Sequence, residues 1–414
     1  LSEITIIGGG VNGLCSAYYL NQSGYEVEVL DPSFSGDGTS YGNAGMIVPS
    51  HFVPMASPGI ISKGIRWIFD PSSPFYIKPR MSLSLLQWLW RFNKSCTKAN
   101  VDKGQDLIWQ YNELSKVEYQ SISDDEGLDF GLKMQGLMML YKNEKSQKEE
   151  VDLAEKARRL GLDAQVLGSE EVQNLNPDTT LDVLGGVYYP GDAHLYSNQF
   201  MLKLQNLLRK KGVKLTKAGL ESATVVGGQV TEVLTSEGRA IQPKQLIVTA
   251  GVWSKNIMQK LGIRLLLEDG KGYSITQESI DRKPTIPSIL SEEKVAITPM
   301  SKDLRITGTL EISGKSKNIN HRRVRGFLDA VPKYFPEIQV PTDTEHEKIW
   351  VGYRPISFDG LPYLGRSEKV KNLTLATGHG MMGMSLGPAT GKLVTQIINE
   401  EKTDLDLKLM RPSR

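Results

Sequence analysis

The stretch "IIGGGVNGL", residues 6–14, sets Gly8, Gly10 and Gly13 at the spacing G-x-G-x-x-G. Glycines so spaced can hold a pyrophosphate. The first permits a tight turn, the second lets phosphates reach bare backbone, and the third lets a helix pack close to a strand. Val11 and Asn12 open a helix whose amide dipoles then face the phosphates. Ribose hydroxyls need an acceptor, and Asp31, followed by Pro32, ends the next apolar run. Alone the motif is a weak signal. A glycine-rich turn with Asp31 as a helix cap would show the same residues.

A second glycine-rich stretch, "TGHGMMGMSLGPATG" at 377–391, offers another helix start. A flavin that has accepted hydride is anionic near its N1 and C2 oxygen, and the positive end of a helix stabilises that charge. A soluble nicotinamide enzyme has less need of it. The two loops together favour FAD over NAD. A purely structural strand–turn–helix is the alternative for the second.

The elements that must position these loops follow from the hydrophobic pattern. "EITII" (3–7) reads as a short buried strand, 11–24 as a helix stopped by Gly24, and "YEVEVL" (25–30) as a second strand. A strand–helix–strand unit of roughly 30 residues is the context the motif requires. From Pro32 to Pro79 the chain is rich in Gly, Ser and Pro, and so long an irregular stretch is expected to wrap a ligand. Residues 83–128 read as helical, 136–143 as a strand, and 144–160 as a charged amphipathic helix. Residues 185–192 read as a strand, 197–212 as an amphipathic helix, and 244–254 as a buried strand with a turn. Residues 271–312 alternate like antiparallel strands, and 372–400 give a strand, a loop and a helix. The tail, 401–414, is polar and expected to be peripheral.

The bulk properties exclude several classes. A chain of 414 residues is long enough for two or three domain-sized units. A formal charge of +2 implies no nucleic-acid partner. Two cysteines make no disulfide framework and fit a reducing compartment. Five histidines without a paired motif offer no metal site. The first apolar stretch lacks a basic leader, so no signal peptide is expected. No apolar run reaches the ~18 residues of a transmembrane helix. "LSLLQWLWRF" (83–92) reads either as a core helix or as a surface helix touching a membrane. The expected location is the cytoplasm, with the inner face of the membrane left open. Oligomeric state is not legible.

With these motifs in order, the chain resembles the glycine/D-amino-acid oxidase (DAO) superfamily of FAD enzymes, and within it the bacterial D-amino-acid dehydrogenases. The resemblance runs nearly end to end. It is carried by 6–20, "SYGNAGMIVPSHFVPMASPG" (40–59), "GIRWIF" (64–69), "LIVTAGVWS" (246–254), "KGYSIT" (271–276), "LRITGTLEI" (304–312), "WVGYRPISFDGLPYLG" (350–365) and "ATGHGMMGMSLGPATGKLV" (376–394). "GDAH" (191–194) and "PSH" (49–51) are more similar to the D-proline and cis-4-hydroxy-D-proline dehydrogenases. The implied fold class is α/β, α+β overall. It is a glutathione-reductase-type arrangement, with a Rossmann-like FAD domain and a substrate domain on an antiparallel sheet. The implied segments are 1–78, 193–263 and 345–414 for FAD, and 79–192 and 264–344 for substrate. The resemblance also implies that Ser40, Asn43, Ala44 and Gly45 lie along the pyrophosphate and flavin. Gly219 or its neighbour would meet adenine through its backbone. Ala250, Gly251 and Trp253 would flank the ribityl side, and Gly378, Gly380, Gly383, Met384 and Ser385 would hold the flavin edge.

The implied reaction is hydride transfer from the Cα of a D-amino acid to flavin N5, with electrons passed to a quinone or another respiratory acceptor. An oxidase using oxygen is the alternative within the class. A nicotinamide dehydrogenase and a non-catalytic flavin sensor are alternatives outside it. The substrate carboxylate must be held so that Cα–H faces the flavin, and Arg354 in "GYRP" is the candidate. Guanidinium is always charged and grips carboxylate bidentately, although a surface ion pair would use the same residue. No base need abstract a carbon proton, so the flavin does the redox work while protein supplies orientation. His51 and His194 are candidates to face the substrate, and Tyr273 and Tyr353 to border its pocket. His379 would donate to the flavin or phosphates, or be structural. Lys271 reads as solvated or near the flavin, and Cys15 as a packing residue.

Overall fold

The computed structural model describes residues 3–36, 38–61, 75–78, 80, 82–344 and 348–414. The quoted segment 64–69 lies outside them. Strands that are apolar without alternation are stable only when both faces are covered, which places them in the middle of a parallel sheet. Ile4–Ile7 is such a strand and is wholly buried. It pairs in parallel with Val27–Asp31 on one side and Gln245–Val248 on the other. Lys214–Lys217 extends the first side in parallel. Leu373–Thr377 extends the second in parallel, and Tyr363–Arg366 closes that edge antiparallel. Helix Val11–Gln22 follows the first strand, and helix Gly387–Ile398 lies against it. Small residues permit that contact. A Cβ on Gly391 would stand 2.5 Å from the Cys15 carbonyl carbon, and one on Gly387 2.5 Å from a Val11 methyl. Cys15 is fully buried there as a packing residue.

The second sheet has nine strands among the described residues. Near one edge Leu267–Gln277 pairs antiparallel with Asp303–Ile312 on one side and with the edge strand Trp350–Ser357 on the other. Ser288–Leu290 runs parallel to Leu137–Tyr141, and Phe75–Ile77 parallel to Asp303–Ile312. The sheet is therefore mixed, not antiparallel throughout. Trp350–Ser357 also falls on the other side of the expected boundary at 345: its ladder joins it to the second sheet. Helix His321–Tyr334 covers one face of this sheet, burying Val324, Phe327, Leu328 and Val331. The fold class is the expected one, a Rossmann-like α/β domain joined to a second domain built on a sheet.

Three local outcomes differ from the pattern reading. The helical stretch 83–128 is two helices, Leu83–Ser95 and Lys98–Glu126, because Thr97 accepts from the Asn100 amide and starts the second. The first of them is divided: Leu85, Trp88 and Phe92 are buried, whereas Leu83, Leu86 and Trp90 are exposed. The tail is not peripheral. Met410 is fully buried, and Arg414 bonds both Asp359 and the Leu361 carbonyl. No helix among the described residues is long and apolar enough to cross a membrane.

Candidate active site

Three parallel strands end at one edge of the first sheet. Ile7 runs into Gly8, Asp31 ends its strand, and Val248 runs into Thr249, Ala250 and Gly251. Ligands of open α/β sheets sit at such carboxyl edges. A cavity of about 1900 Å3 lies there, walled on its other side by the second sheet. Gly8 has φ +112°, and a Cβ on it would stand 2.7 Å from the Ala250 Cα. A Cβ on Gly13 would stand 1.9 Å from the Gly8 carbonyl oxygen, so this glycine serves helix–strand contact and does not line the cavity. Gly10 stands at the helix N-cap with no side chain, leaving room for a ligand at the helix start. Asp31 Oδ2 accepts from the Gly9 amide at 2.7 Å and Oδ1 from the Ser33 amide at 2.8 Å. These two amides orient the carboxylate at the cavity wall, next to Pro32. The bare turn, the amide-bearing helix start and the strand-end carboxylate fit the adenosine diphosphate half of FAD.

The loop that follows is held from across the cavity. Ser40 Oγ accepts from the Val11 amide at 3.0 Å, and Asn43 Oδ1 from the Gly45 amide at 2.8 Å. Asn43 and Ala44 line the cavity; Gly45, with φ +74°, packs behind it against the Leu195 carbonyl. The sequence reading missed the group that fixes this loop. Arg305, buried on the second sheet, donates from Nη1 to the Tyr41 and Asn43 carbonyls and to Ser197 Oγ, at 2.8–3.0 Å. Burial pulls its pKa down to about 10. Arg305→Met should cost about 2–4 kcal/mol, because buried carbonyls lose donors. Chemical denaturation and the flavin content of the purified variant measure this.

The second glycine-rich loop reaches the cavity through its turn, not through the helix itself. Gly380, Gly383, Met384 and Ser385 line it, whereas the helix begins later, at the buried Gly387. Gly378 stands behind the wall, against Tyr363. His379 lies at the wall with both ring nitrogens engaged. Asn12 Nδ2 donates to Nδ1 at 2.9 Å, and Nε2 faces Thr390 Oγ1 at 3.1 Å. The amide can only donate, so the proton sits on Nε2. His379 thus ties the first helix to the last, which leaves no ring nitrogen for the flavin. Burial pushes its pKa down to about 3. The unfolded chain binds a proton there near the ordinary value of about 6.5. The contribution of His379 is therefore present above that pH and lost as pH falls toward 3. The stability gap between wild type and His379→Asn should narrow on acidification below pH ~6.5, by up to about 1.4 kcal/mol per pH unit. Urea titrations at several pH values check the slope.

The opposite wall carries Arg354. Register places Trp350, Gly352 and Arg354 on one face, opposite Ser274, Gly272 and Gly270. A Cβ on Gly272 would lie 2.2 Å from Arg354 Nη1, so glycine is needed to seat the guanidinium. The ladder with Asp303–Ile312 carries a bulge between Lys271 and Tyr273, and Thr309 in it has φ +67°. Bulges re-aim groups beside sites. Here the Thr309 carbonyl turns to accept from Arg354 Nη1 at 2.7 Å. Among the described residues no carboxylate pairs with Arg354, and burial brings its pKa down to about 10. A cation so placed, facing a cavity with one carbonyl as its partner, is built for an anion. Two neutral polar atoms on the same wall have no partner among the described residues: Thr309 Oγ1 and Trp350 Nε1. Neither Thr309 nor Trp350 carried a sequence signal. The bulge that makes Thr309 useful is a property of the ladder, and Trp350 is admitted by Gly42 and Gly352, where a Cβ would approach its ring to 2.0 and 1.9 Å.

The other expected residues divide. His51 and Tyr353 line the cavity, as do Gly219, Ala250, Gly251 and Trp253. Gly219 donates its N–H to Ser236 Oγ, and its carbonyl accepts from the Ser236 amide. Tyr273 does not border the cavity. Lys271 and Tyr273 point to the sheet's other face, where Lys271 meets Glu311 and the Asn318 carbonyl, and the tyrosine hydroxyl accepts from the Asn320 amide. Strand alternation imposes this, since Gly270, Gly272 and Ser274 face the cavity. His194 is also behind the wall. Its strand, Ala193–His194, pairs with Met46–Ile47, and burial pushes its pKa down to about 4.

A nucleotide cradle on one sheet faces a guanidinium on another that is unpaired among the described residues, the arrangement of a two-domain nucleotide-dependent enzyme. The family model "DAO: FAD dependent oxidoreductase" matches residues 3–397, and the chain belongs to that family. Its cofactor is FAD. The chain is 28% identical over 418 residues to a D-amino acid dehydrogenase of Allorhizobium ampelinum, covering 98% of this chain and 96% of that one. It is 29% identical over 423 residues to a D-amino acid dehydrogenase of Neisseria meningitidis serogroup C, covering 99% of each. Among solved structures, glycine oxidase from Geobacillus kaustophilus superposes with a TM-score of 0.78 at 21% identity, covering 100% of this chain and 98% of that one. L-proline dehydrogenase from P. horikoshii does so with 0.73 at 20%, covering 100% and 97%. These two share the fold.

Proposed function

We propose that this FAD-dependent oxidoreductase dehydrogenates a D-amino acid. The observation that carries the reading is Arg354, a guanidinium without a carboxylate partner among the described residues, on the cavity wall opposite the nucleotide cradle. The full-length relatives with that activity in their names support the stereochemical class. Bound FAD would supply the two-electron acceptor. Arg354 would grip the substrate carboxylate as a fork, and Trp350 and Thr309 would offer further polar contacts. Segments 1–78, 193–263 and the part of 345–414 beyond Ser357 would hold FAD. Segments 79–192 and 264–344, with Trp350–Ser357, would hold the substrate.

Within the class, D-proline and cis-4-hydroxy-D-proline are the first substrates to test. His51 at the wall supports a polar contact, and Met139, Ile289 and Ala296 supply an apolar surface for a ring. His194 gives no support, being behind the wall. Electrons would leave to a quinone or another respiratory carrier, in the cytoplasm or at the inner face of the membrane. Anaerobic mixing with a panel of D- and L-amino acids, both proline series included, tests the reading. Bleaching of the flavin band by D-substrates is expected. Bleaching only by L-substrates, or by none, would overturn it.

A further inference from the structure

Behind His51 runs a chain of hydrogen bonds that the reaction above does not use. His51 Nδ1 lies 3.1 Å from Ser50 Oγ. Ser50 Oγ lies 2.5 Å from Asp192 Oδ2, and the Ser50 amide donates to Asp192 Oδ1 at 3.0 Å. Asp192 is 1% exposed and takes no part in the cavity wall; Ser50 is 9% exposed. The two come from distant parts of the chain, the loop after Met46–Ile47 and the turn after Gly185–Tyr189. The main-chain bond sets the carboxylate's orientation, and the hydroxyl bond then fixes the proton order. An ionised Asp192 accepts from Ser50, so Ser50 Oγ must accept from His51 Nδ1–H. The ring is thereby held with Nε2 as an unprotonated acceptor, and Nε2 has no partner among the described residues.

We propose that His51, Ser50 and Asp192 form a proton relay, in which the proton lost by the substrate's ammonium group enters at His51 Nε2 and comes to rest on Asp192. The inference rests on the amino-acid reading given above. Hydride can leave Cα only when the nitrogen lone pair is free, so an ammonium substrate must first lose a proton. The balance is simple. One ammonium N–H bond breaks and Nε2–H forms. The Nδ1 proton passes to Ser50 Oγ, and the Ser50 hydroxyl proton passes to Asp192 Oδ2. No electrons move, and the imidazole ends neutral in its other tautomer.

The surroundings agree with that end state. Burial and Lys294 disfavour a cationic ring, and hold the His51 pKa down at about 4. The proton therefore has reason to travel on. Burial raises Asp192 to about 7 despite the two bonds from Ser50, with Lys116 opposing the rise and Glu113 adding to it. Tyr189 is the other titratable group that feels this carboxyl. Lys116 itself is engaged by the Gly191 carbonyl and Glu113. Ser50 and Asp192 are positioning residues, since neither reaches the substrate.

Asp192→Asn keeps the shape and reverses the order. Its amide donates to Ser50, Ser50 donates to His51 Nδ1, and the ring presents Nε2–H, which cannot accept. The wild-type kcat/KM for anaerobic flavin reduction should rise through pH about 7 and level off. In Asp192→Asn it should rise only through the free amino group's own, more alkaline pKa, with a loss of roughly 100-fold near pH 8 that closes to within about threefold near pH 10. Ser50→Ala should show the same profile, and Ser50→Thr should restore the wild-type one. Flavin content and melting temperature identify a variant that merely folds badly. Nitrogen-15 NMR of the imidazoles at pH 8–9, where Asp192 is ionised, gives a second readout, independent of turnover: Nδ1–H for His51 in wild type, Nε2–H in Asp192→Asn. A loss equal at every pH, an unchanged profile, or an Nε2–H ring in wild type would overturn the relay. If no D-amino acid reduces wild-type flavin at any pH, the substrate reading fails, and the tautomer measurement still judges the hydrogen-bond chain.

Discussion

Arg354→Ala should keep its FAD and its fold but need far more substrate, with kcat/KM for a D-amino acid falling roughly 100- to 1000-fold. The size follows from what is removed. Truncating one partner of a buried, hydrogen-bonded charge pair costs about 2–5 kcal/mol, and each ~1.4 kcal/mol is tenfold. Arg354 offers the cavity a guanidinium whose only bond within the described chain is from Nη1 to the Thr309 carbonyl. Arg354→Lys retains the charge and loses the fork, so an intermediate loss of roughly tenfold is expected. Steady-state kinetics with an artificial electron acceptor, beside the flavin absorbance of each variant, separate substrate binding from cofactor binding. Kinetics within threefold of wild type for Arg354→Ala would remove the anchor from this account.

Gly13→Ala should be purified without flavin, or not purified at all. A methyl at this position would stand 1.9 Å from the Gly8 carbonyl oxygen and 2.7 Å from Thr249 Oγ1. The first neighbour is backbone, so no rotamer change relieves it. Either the helix retreats from the strand or the turn at Gly8 opens, and both spoil the phosphate cradle. A cost above about 3 kcal/mol is expected for overpacking at so rigid a contact. Gly191→Ala is the control, since a Cβ there meets nothing within 4 Å and its φ is not positive. The ratio of FAD to protein after gel filtration, with melting temperature beside it, reads the contrast. A yellow, stable Gly13→Ala would show that helix and strand are not locked as described.

Much of the nucleotide half was legible because its signals are local. The strand, the turn and the helix that hold the phosphates are neighbours in the chain, and the carboxylate at Asp31 ends the next strand. Spacing alone therefore set Gly8, Gly10, Val11, Asn12 and Asp31 at one wall. Of the residues expected at the substrate, Arg354, His51 and Tyr353 are the ones that line the cavity. Tyr273 was misplaced because alternation says that two faces exist, not which one meets the cofactor. His194 was misplaced because "GDAH" keeps Asp192 and His194 together on paper, while the strand pairing with Met46–Ile47 turns them behind the wall. His379 was left between two roles, and its two hydrogen-bond partners, one from each end of the chain, decided it.

By itself the sequence determined the class of fold and the cofactor. Glycine spacing, apolar runs and strand-end residues act over a few positions, where backbone sterics and burial leave little choice. Only the tertiary structure decided which side chains face the cavity. Arg305 reaching the 41–43 carbonyls, the Thr309 bulge that receives Arg354, and the Ser50–Asp192 contact all join residues more than 40 positions apart. Their partners are chosen by sheet register and by packing between two domains, which no local pattern encodes.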